Sequence, residues 1–166
     1  DSPQAHASLE RVNDIHRQVQ GAIKEREPLP TGTPYRALEP DLLLWVHATL
    51  VDSAIKAYDL FVKPMSTAER NQYYDDTRRL AYLFGVPEPD VPSSLEAFNS
   101  YVERMLTGRT ISVGPTARTL AGEILRPRPW ILKIGGPIHS FVTIGLLPPS
   151  LREAYGFGWD ERRERA

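Results

Sequence analysis

PDLLLWVHATLVDSAIKAYDLFVKP, residues 40–64, decides the fold class. Proline breaks a helix interior but is tolerated in the first turn and beyond the end. Pro40 and Pro64 therefore bracket one long helix. Asp52, Lys56, Asp59 and Lys63 fall on a solvated face with i, i+4 pairing. Leu43, Leu50, Ala54 and Phe61 lie opposite, and His47 shares their side. With His47, Asp52, Lys56 and Asp59 inside it, the stretch from Leu42 to Val62 is a poor membrane span.

The same punctuation organises the rest of the chain. Its 15 prolines leave free windows at 4–27, 65–86 and 93–114, with shorter ones at 116–126, 138–147 and 150–166. Ser2-Pro3 reads as a cap followed by proline at the first helical position, and Gly21 as that helix's stop. Ser66-x-x-Glu69 and Ser93-x-x-Glu96 read as capping boxes, with Gly85 and Gly108 as the matching stops. Gly114-Pro115 opens another helix and Pro127 follows its end. No segment alternates apolar and polar residues long enough to make a strand. The expectation is an all-α fold, a single domain over residues 1–166 with about six to eight helices. Between Gly21 and Pro40 lies a loop of a length that compact domains usually reserve for function.

Composition narrows the chemistry. The chain of 166 residues carries 20 Lys+Arg against 21 Asp+Glu, a balance that gives no field for nucleic acid. With no cysteine, disulfides, thiolate zinc sites, iron–sulfur clusters and a cysteine nucleophile are all excluded. Transition-metal or haem ligation falls to carboxylates and four histidines. Glu-x-x-His, His-Glu-x-x-His, Gly-x-Ser-x-Gly, the P-loop and the dinucleotide fingerprint are absent. Basic n-region and apolar h-region are likewise missing from the start, so no signal peptide is visible and the expected location is soluble and cytoplasmic.

Two histidines face inward from consecutive helices. His16 falls within a stripe of Ala5, Leu9, Val12, Val19 and Ile23, and His47 within the apolar side of the next helix. Each can be read as a hydrogen-bonded core residue or as a ligand, because a buried imidazole is costly until its nitrogens find partners. His6 reads as solvated at the helix start, and His139, after Gly135-Gly136-Pro137, as either core or site. Tyr73, Tyr74, Tyr82, Phe84, Phe98 and Tyr101 recur at helical spacing as core.

These residues also carry a resemblance. Val12-x-x-x-His16-x-x-Val19-x-Gly21 is followed by Tyr35-x-Ala37-x-Glu39-Pro40 and then by Trp45-Val46-His47-Ala48. Gly85-Val86-Pro87, Val91-Pro92 and the late run from Gly145 to Gly156 extend the pattern. Together they resemble the MpaB-like oxygenases, the family of the rubber-cleaving latex-clearing proteins. The resemblance implies an all-helical oxidoreductase that binds haem b and acts with dioxygen on an apolar small-molecule or polymer substrate. It places His16 as the proximal ligand of the haem iron and matches His47 to a second family histidine without an assigned role. On that reading His47 lines the pocket or contacts the cofactor edge, and Tyr35 and Trp45 either wall the pocket or simply pack. The family's preceding Arg…Thr element has no counterpart, so the chain reads as the C-terminal portion of a larger catalytic domain. From another class comes the alternative of a non-catalytic helical module that binds a lipid or protein partner through open apolar faces.

Overall fold

A computed structural model describes residues 3–24, 30–108, 110–125 and 136–165. The side chains of residues 3, 5, 6, 136 and 137 lie outside that description, and with them the expectation for His6. The proposed Ser2 cap and the Pro127 stop lie outside it too. In chain order come α1 (Pro3–Gln18), β1 (Gln20–Ala22), β2 (Pro34–Arg36), α2 (Pro40–Phe61) and α3 (Thr67–Leu83). A 3-10 turn (Glu88–Asp90) then leads to α4 (Leu95–Thr107), α5 (Pro115–Ile124), α6 (Gly136–Gly145), α7 (Pro149–Tyr155) and α8 (Glu161–Glu164). The fold is all-α apart, among the described residues, from one two-stranded ribbon. Contacts group the chain into two compact units, Asp1–Thr110 and Ile111–Ala166.

In the first unit α2, α3 and α4 enclose the core. Ala48, Val51 and Ile55 from α2 meet Tyr74 of α3 and Phe98 and Val102 of α4. The Tyr74 and Phe98 rings lie 4.9 Å apart, and the Tyr74 hydroxyl donates to the Pro92 carbonyl at 2.6 Å. A second cluster joins Leu43 and Leu44 to Ala81, Val86 and Val91. Its turn is made by Gly85, whose φ of +99° is the left-handed conformation that lets α3 stop.

The inner side of α2 differs from the sequence expectation. Leu43 is buried, but Leu50 and Phe61 are 62% and 58% exposed. The buried set is Leu43, Leu44, His47, Ala48, Val51 and Ile55, turned by about 80° at ~100° per residue. Apolar residues surround most of this helix, so periodicity left its facing direction open and α3 and α4 chose it. Its charged residues differ as well. Lys56 pairs with Asp52 at 2.7 Å as expected. Asp59 instead accepts from the Met65 backbone N–H at 2.8 Å and pairs with Arg70 at 2.5 Å. Lys63 pairs with Glu69 at 2.7 Å, so these two charges fasten the α2–α3 corner.

Helix starts follow the caps. Ser66 and Glu69 form the expected reciprocal box. At α4 the cap is Ser94, one residue later than expected, and its hydroxyl accepts from Ala97 N–H at 3.1 Å. Gly114 caps α5, with Pro115 in its first turn.

In the second unit, Arg118 Nε donates to the Ala154 carbonyl at 2.9 Å and ties α5 to α7. The window 150–166, expected as one helix, is divided by Gly156 at φ +74°. Arg152 is buried, pairs with Glu164 at 2.7 Å and lies 4.8 Å over the Trp159 ring. Glu164 also accepts from the Trp159 indole N–H.

Candidate functional site

The half-buried residues through the body of α1 are Leu9, Asn13 and His16, at i, i+4 and i+7. This corrects the expected stripe: Val12 and Val19 are 36% and 43% exposed, and Ile23 lies beyond the helix. Asn13 takes the place between Leu9 and His16. Sequence reasoning missed it because it is polar, although its spacing from Leu9 and His16 is that of an inner position.

The helix ends sooner than Gly21, and the chain returns. β1 pairs antiparallel with β2, matching Gln20 with Arg36, Gly21 with Tyr35 and Ala22 with Pro34. The expected loop is thus a short ribbon, whose three-residue strands are too brief to show a period. A Cβ on Gly21 would stand 3.1 Å from the Tyr35 hydroxyl oxygen, so glycine admits the phenol ring against β1. Glu39 then closes the turn. Its carboxylate accepts from Arg36 N–H at 2.7 Å, and Pro40 enters the first turn of α2. This gives the Tyr-x-Ala-x-Glu-Pro spacing a physical basis. Gln20, Gly21, Pro34, Tyr35, Arg36 and Glu39 line a hollow of about 380 Å³. Backbone bonds couple it to α1: Val19 N–H donates to the His16 carbonyl at 3.1 Å, and Ala37 N–H to the Val19 carbonyl at 3.0 Å.

On α2, His47 is 6% exposed. Burial pushes its imidazole below its ordinary value of 6.5, so it is neutral at pH 7. Trp45 is half-buried against the α2–α3–α4 core, edge-on to Tyr101 with centroids 6.4 Å apart. His139, near the start of α6, is exposed. Among the described residues, no hydrogen bond, ion pair or ring contact joins His16, His47, Tyr35 and Trp45 to one another. Nor, among those residues, do three or more His, Asp or Glu converge as a bare metal ion would require.

What distinguishes the two histidines is unmet hydrogen bonding. His16 Nδ1, Asn13 Oδ1 and His47 Nε2 are sealed from solvent without a partner. Each such atom costs about 1–3 kcal/mol until something meets it. On His16 it is Nδ1 that is sealed in this way. Neutral imidazole nitrogen is the commonest protein donor to transition metals.

Residues 1–166 match the family described as "ER-bound oxygenase mpaB/B'/Rubber oxygenase, catalytic domain". The chain belongs to this family. An uncharacterised protein of Mycobacterium bovis and one of Mycobacterium tuberculosis are each 31% identical to it over 156 residues. The match covers 93% of this chain and 58% of each relative, so the chain spans under two thirds of their length. No solved structure matches it. Among the described residues, no helix is long and apolar enough to cross a membrane.

Proposed function

We propose that this chain is part of a haem-b-dependent oxygenase that acts with dioxygen on an apolar small-molecule or polymer substrate, with His16 as the proximal ligand. The carrying observation is the state of His16, a half-buried imidazole whose Nδ1 is sealed without a partner. Membership of a family described as an oxygenase catalytic domain supports it. The donor set fits the cofactor. Haem iron can be held in proteins by a single side chain such as histidine, a role that one imidazole would fill here. Bound haem would supply the oxygen chemistry. His16 would hold it through Nε2 and keep its proton on Nδ1. His47, neutral and buried, would border the cavity and exclude water. Tyr35, braced on Gly21, and Trp45, braced on Tyr101, would wall it.

The test separates the histidines by spectrum in the haem-loaded native protein. His16→Ala is expected to lose or grossly shift the Soret and visible bands, and added imidazole to restore them. His47→Ala is expected to keep the proximal ligand while turnover falls. The reverse pattern would exchange their roles, and no change in either variant would make both histidines core residues.

A second reading has its own observation. Leu42, Val46 and Leu50, each one turn from the next on α2, are 42%, 57% and 62% exposed. A helical module that binds a lipid or protein partner would use such a face. That protein would show no Soret band after purification or after addition of haem.

A further inference from the structure

The inner stripe of α1 holds two orphaned polar atoms one helical turn apart, Asn13 Oδ1 and His16 Nδ1. They are chemically complementary in only one tautomer. An amide oxygen only accepts, whereas imidazole Nδ1 donates when it carries the proton and accepts when Nε2 carries it. With the proton on Nε2, the sealed stripe would contain two unmet acceptors. With the proton on Nδ1, it contains a donor and an acceptor. The two atoms are not bonded to each other in the structure, but residues three apart on a helix are surface neighbours with Cβ atoms about 5–6 Å apart.

We propose that Asn13 is the positioning residue for His16: its side-chain oxygen accepts the Nδ1 proton, sets the tautomer and leaves Nε2 as the donor atom. This rests on the reading of His16 as the iron ligand. A ligating histidine needs such an outer partner to fix its ring and raise its basicity. Among the described residues, no side chain meets His16 Nδ1. Asn13 does not touch the iron. It acts through the imidazole.

The experiment reads two signals that a purely structural residue would leave unmoved. In the haem-free protein, ¹⁵N shifts of His16 are expected to show the proton on Nδ1. In Asn13→Leu, which retains the bulk and removes the acceptor, the Nε2-protonated form is expected to dominate. In the ferrous haem-loaded protein, the iron–histidine stretch is expected to fall in Asn13→Leu, with haem affinity about 10-fold weaker. Asn13→Asp, a stronger acceptor, is expected to raise that stretch and lower the reduction potential.

A wild-type His16 protonated on Nε2 would overturn the proposal, as would a stretch unchanged in both variants. If the stretch is unchanged but His16→Ala still loses the Soret band, Asn13 fails while His16 remains the ligand. If His16→Ala keeps the wild-type spectrum, the ligand reading fails and this inference with it. Should Asn13→Leu not fold, the wild-type tautomer and Asn13→Asp decide the matter.

Discussion

Tyr74 shows how one side chain can set a limit on the core. Only 1% of it is exposed, and burial pushes its phenol up to about 12. In the unfolded chain the group ionises near its ordinary value of 10, while the folded protein retains the proton. The folded state therefore binds more protons between these values, and stability must fall as pH rises through 10 towards 12. Tyr74→Phe removes the bond to Pro92 and is expected to cost about 1 kcal/mol near neutrality. It should also blunt the alkaline loss, as denaturant unfolding at several pH values would show. His47 acts at the other end of the scale. Its depressed value means that stability is fully present above 6.5 and falls as acid protonates the unfolded chain first. In His47→Gln the stability profile between pH 7 and 5 should be flatter than in the wild type.

Among the elements, α6 and the segment before α8 meet tightly at Gly145 and Trp159. A Cβ at Gly145 would stand 2.9 Å from the Trp159 ring, so the ring must shift or the helix end must move. Trp159 cannot move freely, because Arg152 lies against its ring and Glu164 accepts from its indole N–H. Gly145→Ala is expected to destabilise by about 1–3 kcal/mol, read as a lower unfolding midpoint. The start of α3 is a separate device. The Lys63 ammonium and the Ser66 cap hold the Glu69 carboxyl down at about 2. The contribution of this exposed corner is present above 4.5 and is lost as pH falls towards 2. Ser66→Ala is expected to cost about 1 kcal/mol in thermal unfolding.

Across the whole molecule, the balance of elements predicts a far-ultraviolet circular dichroism spectrum dominated by helix. The described strand is confined to two runs of three residues, which contribute almost nothing to that signal. A spectrum dominated by β structure would contradict the fold. The two compact units use different means of cohesion. Residues 1–110 bury aliphatic and aromatic side chains between three helices, whereas residues 111–166 also rely on a buried arginine held by a carboxylate and an indole.

Local chemistry was legible along the chain. Prolines at helix starts, the Ser66 box and the left-handed turn at Gly85 act within a few residues, so their outcome is written in adjacent positions. His47 lies where the expected and the observed faces of α2 overlap, so it is buried although the helix faces another way. The ribbon between Gly21 and Tyr35 was not, since its pairing spans chain positions far apart and its strands are too short for a period. Asn13 was hidden because a polar residue carries no apolar signal, and only packing shows which face of α1 turns inward. The facing direction of α2 was settled by α3 and α4, for a helix apolar around most of its circumference has no preferred side until neighbours supply one.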